Sequence, residues 1–223
     1  MCGKFTAKAS WTEIVDYIWS PSNLDEEADR TVTYRVMNPL PVVLLDIVIG
    51  ERRVVPMRWG FPDLKDWRRP QPIHARAETI DTTKAFAQAF RDGQRGIVWM
   101  KSFNEAPDVE GPTIQHVIVP ESTLAAAVVW RRFEISASPE PFFACVLVTV
   151  AANQLISSLP TDRMPAFLAR EDWQTWLGEK PASLEEVKAC LRTVEDARWT
   201  MTREERAGST RRKPTVSDPA ELF

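Results

Sequence analysis

The 223-residue sequence has few cysteines, histidines, tyrosines and glycines, and it has no long apolar run. Its three cysteines (Cys2, Cys145 and Cys190) are far apart and form no C-x-x-C pair. We therefore expect neither a disulfide framework nor a cysteine-based zinc site. No apolar stretch approaches the roughly 20 residues that cross a bilayer. Residues 1–10 also lack the apolar run of a secretory signal, which predicts a cytoplasmic location and no membrane partner.

Several common functional signatures are missing as well. The sequence contains no Gly-rich phosphate loop, no H-E-x-x-H motif and no G-x-S-x-G motif, and we expect no metal and no cofactor. The 28 basic and 31 acidic residues give a net charge of −3. This balance argues against a protein that binds nucleic acid through a surface that is basic throughout. Nothing indicates the oligomeric state, and a monomer is the default expectation.

Proline and tryptophan are abundant instead, with 17 prolines against 8 glycines and 9 tryptophans against 2 tyrosines. Proline favours short strands and fixed turns, and tryptophan serves as core or as a stacking platform. Capping boxes and hydrophobic periodicity predict helices at 10–19, 82–91, 170–177 and 183–191, and strands at 42–49, 53–59, 96–101, 113–119, 124–130 and 143–150. The pattern predicts one α+β domain over residues 1–202, with a mostly antiparallel sheet or barrel and peripheral helices, followed by a disordered polar tail at 203–223.

Cys2 is the most informative position because it directly follows the initiator methionine. Removal of Met1 would leave an α-amine, with a reference pKa of about 7.7–8.0, and a thiol, with one of about 8.5, on the same residue. An amine that attacks an aldehyde gives a Schiff base. The thiol can then close onto that imine and form a five-membered thiazolidine. The alternative is that Cys2 is an incidental small residue.

A basic segment from Arg52 to Arg76 modifies the argument from net charge. It carries seven basic and two acidic side chains, a local net charge of +5, and Trp59, Phe61 and Trp67 lie among them. Cations beside flat rings are typical of proteins that bind single-stranded nucleic acid, through phosphate contacts and base stacking. The alternative is a solvated basic loop whose rings belong to the core.

Glu105 follows a strand-like run, and a carboxylate at a strand end can transfer protons if burial raises its pKa. The alternative is an ordinary surface charge. The sequence has two histidines. His74 lies beside the basic segment, whereas His116 alternates with apolar neighbours in a predicted strand, so we interpret His116 as structural.

Taken together, five motifs resemble the SRAP family (SOS response-associated peptidase), also described as abasic-site processing proteins. The resemblance covers roughly residues 1–180. The motifs, in order, are Met1-Cys2-Gly3-Lys4-Phe5, like the family's M-C-G-R-F; Arg58-Trp59-Gly60-Phe61, like its W-G-hydrophobic strand end; Ile73-His74-Ala75-Arg76-Ala77-Glu78-Thr79, like its N-A-R-x-E-T; Phe103-Asn104-Glu105, like its W-x-E; and Thr161-Asp162-Arg163-Met164-Pro165, like its H-x-R-M-P.

The resemblance implies a compact β-rich fold with a positively charged groove for single-stranded DNA. It implies that Cys2 bonds covalently to the ring-opened aldehyde of an abasic site and that Glu105 is its acid/base partner. It also implies phosphate contacts from Lys4 and Arg76, and a groove lined by Trp59. The remaining residues that we expect at the DNA are Arg58, Trp67, Arg68, Arg69 and Arg163. The family's peptidase name fits autoproteolytic removal of residues that precede the cysteine.

The sequence also departs from the family pattern. Thr161 stands at the family's histidine position, and His74 stands where the family has asparagine. Val36 replaces the asparagine of the family's R-Y-N-x-A-P signature. Lys4 replaces an arginine and loses its bidentate fork. His74 is a speculative source of the missing imidazole, and loss of activity is the alternative.

Three functional hypotheses follow from this pattern. In the first, the protein is an SRAP-type enzyme that forms a Cys2–abasic DNA crosslink in the DNA damage (SOS) response. In the second, it binds single-stranded DNA without catalysis. In the third, it is a thiol peptidase that acts on other proteins, although no histidine is convincingly placed to activate Cys2 in that role.

Overall fold

A computed structural model of the chain describes residues 3–7, 32–63, 71–106, 114–134, 141–195 and 198–204. Within these ranges the chain is mostly β, with short helices at the periphery of two sheets. This architecture confirms the predicted α+β class with a largely antiparallel sheet and barrel core. The helix predicted at 10–19 lies outside the described residues.

The smaller sheet has five antiparallel strands. They are β1 (Lys4–Ala7), β2 (Val32–Arg35), β7 (Ser102–Glu105), β8 (Gln115–Val119) and β13 (Thr200–Glu204). Their order is β13-β8-β7-β1-β2, so the first and last described strands share one sheet. The inner face of this sheet carries Phe5, Phe103 and Ile118, all fully buried.

The larger sheet closes on itself. Its main strands are β3 (Pro39–Asp46), β4 (Glu51–Trp59), β6 (Arg95–Met100), β9 (Leu124–Phe133) and β10 (Phe142–Ala151). They pair in the ring β10-β4-β3-β6-β9, and β9 pairs with β10 again, which makes a five-stranded barrel. Three short strands extend it: β5 (His74–Arg76), β11 (Arg163–Pro165) and β12 (Phe167–Leu168).

Small residues line part of the barrel interior. On strand β9, Ala126 is fully buried and lies on the same face of the strand as the branched Val128. Gly96 on β6 faces the same interior, where a Cβ atom would come within 2.5 Å of Val42 Cγ1. Small residues at these positions therefore allow the strands to close around branched side chains.

The described part of the chain has four short α-helices outside the strands: α1 (Ala87–Arg91), α2 (Gln154–Ser157), α3 (Trp173–Leu177) and α4 (Leu184–Ala189). The capping box predicted at Ser183 is confirmed, since its hydroxyl accepts from the Glu186 N–H and the Glu186 carboxylate accepts from the Ser183 N–H. No helix of the described part of the chain is long and apolar enough to span a bilayer.

The structure also changes several predicted boundaries. The strand expected at 42–49 runs instead from Pro39 to Asp46, and residues 47–50 form the hairpin turn, because Gly50 adopts φ = 71° and its N–H donates to the Asp46 carbonyl. The helix expected at 82–91 is helical only over Ala87–Arg91. Strand β13 extends to Glu204 through pairing with β8, so Arg203 and Glu204 belong to the sheet rather than to the predicted tail.

Aromatic rings join the two sheets. The Phe5 ring on β1 lies 5.4 Å from the Trp59 ring at the end of β4, in an edge-on arrangement. The Phe103 ring on β7 lies 5.7 Å from Phe167 on β12 and 6.0 Å from Trp199. The core is therefore continuous from the barrel to the smaller sheet, and it fixes the polar end of β7 against the segment that leads into β11.

Candidate functional site

The start of β1 lies beside the end of β7, and this pairing defines the candidate site. Lys4 is paired with Asn104 and Phe5 with Phe103 in an antiparallel register. One residue before the strand, Gly3 is therefore level with Glu105. The described part of the M-C-G-K-F motif and the F-N-E motif, about 100 residues apart in sequence, are therefore neighbours.

The Glu105 side chain points to the inner face and is fully buried. Burial raises the pKa of its carboxyl group, while a hydrogen bond with the Thr161 side chain and the charge of His116 act in the opposite direction. A carboxyl group whose pKa rises toward neutrality can both accept and donate a proton near physiological pH. Glu105 is thus a buried carboxyl group with a raised pKa rather than a surface charge.

Thr161 reaches Glu105 from the segment between α2 and β11. Its neighbour Asp162 fixes this segment, because its carbonyl accepts a hydrogen bond from the Ala152 N–H at 2.9 Å. The position that aligns with the family's histidine thus does lie at the predicted carboxylate, where it supplies a hydroxyl instead of an imidazole.

His116 is the member of the site that sequence reasoning missed. It is paired with Glu105 in the register of β7 and β8, so the two side chains share the inner face of the sheet. Alternation with apolar residues correctly indicated a half-buried strand position. Only the pairing of β8 with β7 reveals that the polar side chain lies next to the carboxylate.

Lys4 lies on the outer face of the same strands. Its Nζ donates to both carboxylate oxygens of Glu204 at 2.9 and 3.1 Å, and the Asn104 amide donates to Glu204 Oε2 at 3.2 Å. The expected phosphate-binding lysine is therefore ion-paired with the last described strand. Exposed Arg35, its cross-strand neighbour, adds a second cation to this face.

Two of the motifs meet at Arg163. Its guanidinium makes a bidentate ion pair with Glu78, at 2.5 and 2.9 Å, and also donates to the Thr149 carbonyl at 2.5 Å. Arg163 is only 7 % exposed. The expectation that Arg163 contacts DNA is therefore corrected: both terminal nitrogens of its guanidinium are engaged in joining strand β11 to the turn after β5.

Trp59 also has a structural position. It is fully buried, and its indole N–H donates to the Ile73 carbonyl at 3.1 Å. It offers no exposed face on which a base could stack, so the expectation that Trp59 lines a groove is corrected. The following Gly60 adopts φ = 112°, and a Cβ there would lie 3.2 Å from Ile73 Cγ2, which explains the glycine in this motif.

His74 and Arg76 alternate with buried Ala75 on β5 and share the other face of that strand. The His74 ring lies 6.4 Å from the Trp59 ring and meets it edge-on. Arg76 is exposed, and its positive charge contributes to a lowered pKa at Glu78, after the larger effect of Arg163. Arg76 thus remains available for a phosphate.

The basic segment is not one basic surface. Arg52 is ion-paired with Glu179, and Arg53 with Asp46 at 2.7 Å, at the hairpin end of β4. Arg58, at the other end, donates to Gln71 Oε1 at 2.9 Å. The predicted site residues Cys2, Trp67, Arg68 and Arg69 lie outside the described residues. The described residues hold no cluster of three or more acidic, histidine or cysteine side chains that could bind a metal ion.

Comparison with protein families supplies the identity. The sequence model of the family "SOS response associated peptidase (SRAP)" matches residues 1–206. The chain belongs to the SRAP family. Its curated relatives in this family include the abasic site processing protein YoqW of Bacillus subtilis, which is 24 % identical over 193 residues, 81 % of each chain. The abasic site processing protein YobE of the same organism is 24 % identical over 189 residues, 81 % of this chain and 83 % of YobE.

Solved structures support the SRAP fold. A protein from Bacteroides thetaiotaomicron superposes with a TM-score of 0.75 at 17 % identity, covering 92 % of this chain and 93 % of that chain. A protein from Bordetella bronchiseptica gives a TM-score of 0.73 at 18 % identity, with 92 % and 100 % covered. A low identity together with a high TM-score shows that the fold persists although most side chains differ.

Proposed function

We propose that this SRAP protein processes abasic sites in single-stranded DNA by forming a covalent thiazolidine link through Cys2. The observation that best supports the proposal is the register of β1 on β7, which brings Gly3 level with the buried carboxyl group of Glu105. Gly3 directly follows Cys2 in the sequence, which supports Glu105 as the acid/base partner of Cys2. The names of the relatives supply the substrate class.

The proposed reaction begins with removal of Met1, which exposes the Cys2 amine. The amine nitrogen attacks the aldehyde carbon of the ring-opened sugar, and a C–N bond forms. Glu105 carries one proton from nitrogen to the carbonyl oxygen, which becomes a hydroxyl group. It then carries a second proton from nitrogen to that hydroxyl group, which leaves as water and gives an imine. The Cys2 sulfur then adds to the imine carbon and its proton passes to nitrogen, which closes the thiazolidine ring. A carboxyl group with a raised pKa suits both proton transfers.

The DNA backbone would lie across exposed cations on both sheets. Arg35 and Arg76 are exposed, and Arg58 and Lys4 are half-buried. Arginine suits this role because its fork binds phosphate oxygens. Peptidase-type release of Met1, a cytoplasmic location, a monomeric state and a preference for single strands remain predictions.

The test is intact-mass spectrometry of the purified protein before and after incubation with a single-stranded oligonucleotide that carries one abasic site. We expect a protein mass without Met1, and then a product of protein plus oligonucleotide minus one water. Cys2→Ala abolishes this product, because it keeps the amine but removes the thiol that traps the imine.

Cys145→Ala is the matched control, since Cys145 is fully buried in β10 and burial raises the pKa of its thiol. This variant is expected to form the adduct at the wild-type rate. Salt-sensitive binding to intact and abasic strands alike, with no mass increase on a protein that has lost Met1, would contradict the proposal and favour a non-catalytic DNA-binding protein.

A further inference from the structure

We propose that His116 is the proton-exchange partner of Glu105 and connects this buried carboxyl group to solvent. The inference deepens the proposed function and rests on it for its chemistry. His116 would act through Glu105 as a positioning and proton-relay residue.

The first argument is placement. Glu105 and His116 are directly paired across β7 and β8, and such pairs bring Cβ atoms to about 4.5–5.5 Å. Both side chains lie on the inner face, at the end of the row that begins with the buried pair Phe103 and Ile118. An imidazole at this distance can meet a carboxylate directly or through one water.

The second argument is access to solvent. Glu105 is fully buried, so a proton that enters or leaves it must pass through a neighbouring group. His116 is only half-buried, and its partner on the other side is the exposed Arg203 of β13. The row Glu105, His116, Arg203 thus runs from the core to the surface across three adjacent strands.

The third argument is polar satisfaction. His116 Nδ1 is buried and has no hydrogen-bond partner among the described residues. A buried nitrogen without a partner carries a cost, which is removed when a proton, water or ligand bridges it to a neighbour. The charged groups that face His116 are Glu105 on β7 and Arg203 on β13, and of the two only the carboxylate can accept its proton.

The proton balance is simple. A protonated Glu105 gives its proton to neutral His116, which becomes an imidazolium and passes a proton to water. The carboxylate is then ready to accept the next proton from the Cys2 amine. Thr161 cannot replace His116 in this step, because a hydroxyl group does not become cationic near neutral pH.

The test compares wild-type protein with His116→Gln in two ways. In carboxyl-carbon NMR, with Glu105 assigned through Glu105→Gln, the titration midpoint of Glu105 is expected to move to higher pH in His116→Gln, because the charge interaction with His116 that lowers the pKa of Glu105 is gone. In the crosslinking assay we expect a rate about tenfold lower, and an acidic limb of the pH–rate profile that moves in the same direction.

Two further variants sharpen the result. Adding Thr161→His to His116→Gln is expected to restore most of the rate, because it returns an imidazole to Glu105 from the other side. Thr200→Gln, at an exposed position of β13, should leave both the rate and the titration unchanged. An unshifted Glu105 titration in His116→Gln overturns the inference. Absence of crosslinking by wild-type protein overturns the proposed function instead, and the NMR titration still decides the role of His116.

Discussion

Arg163 and Glu105 are both buried ionisable residues, and the segment 161–163 connects them. Arg163 ends this segment, and Thr161 at its start is a hydrogen-bond partner of Glu105. Arg163 is matched by two carboxylate oxygens of Glu78 and by the Thr149 carbonyl. Glu105 has a hydroxyl partner in Thr161 and an imidazole neighbour in His116, and burial raises its pKa. A buried charge with matched donors and acceptors holds structure together. A buried acid whose charged form is disfavoured is instead suited to proton transfer.

The strongest test of this contrast is Glu105→Gln. We expect the crosslinking rate to fall about 1000-fold, because the amide keeps the shape but cannot transfer a proton. The pseudo-first-order rate of adduct formation, measured on denaturing gels, checks this. A rate within threefold of wild type would show that Glu105 is not the acid/base group.

The same variant changes the pH dependence of stability. The folded pKa of Glu105 is raised, so the folded state holds its proton more tightly than the unfolded state. The contribution of Glu105 to the free energy of unfolding is therefore largest below the pKa of the unfolded state, about 4.3. This contribution is lost as the pH rises through the pKa of the folded state. Thermal melts over this window should show a decline in wild-type protein that is smaller in Glu105→Gln.

Arg163→Ala tests the other side of the contrast. We expect the free energy of unfolding to fall by about 3 kcal/mol. This value lies at the lower end of the range for a broken buried ion pair, because the Glu78 carboxylate is half exposed and is solvated once Arg163 is removed. Urea denaturation followed by tryptophan fluorescence measures this.

The salt dependence of DNA binding distinguishes a structural role of Arg163 from a phosphate contact by Arg76. The folded Arg163→Ala protein should keep the wild-type salt dependence of single-strand binding, whereas Arg76→Ala should reduce the slope of log K against log salt by about 0.7. Equal slopes for wild type and Arg76→Ala would remove Arg76 from the DNA surface, and a reduced slope for Arg163→Ala would return Arg163 to it.

The smallest effect is expected at Glu204. Glu204→Gln removes the carboxylate that is ion-paired with Lys4 and makes this face more positive, so affinity for single-stranded DNA should rise about threefold. Glu179→Gln is the matched control, because it removes the same charge beside Arg52 at the hairpin end of β4 and should leave affinity unchanged. Fluorescence anisotropy at low salt measures both, and no gain at Glu204 would mean that Lys4 is not near the backbone.

The sequence predicted those elements that are determined by residues close together along the chain. The β3–β4 hairpin and the Ser183 cap follow from periodicity and from side-chain hydrogen bonds within four residues. Glu105 was identified because its motif and its position at a strand end both indicated chemistry. His116 and Glu204 were missed, since each meets its polar neighbour, Glu105 or Lys4, on a strand that is distant in sequence.

Arg163 and Trp59 were wrongly expected to contact DNA, because their partners in the structure are distant in sequence. Arg163 and Trp59 carry donor groups that are typical of DNA contacts, and the sequence contains no sign that Glu78 and the Ile73 carbonyl engage those donors. The basic segment with its local charge of +5 likewise does not form one surface. Arg52 and Arg53 are ion-paired at one end of β4, and Arg58 lies at the other end. Spacing along the chain locates motifs, but it does not reveal which donors are already engaged.

The placement of β13 next to β8 also bears on how the protein folds. All five main barrel strands lie between residues 39 and 151, so the barrel can form while the rest of the chain is still being synthesised. The smaller sheet needs both β1 and β13, and the contact between Lys4 and Glu204 spans 200 residues. Contacts of such high sequence separation form late. A chain emerging from the ribosome would therefore complete the smaller sheet last, after the barrel has already formed.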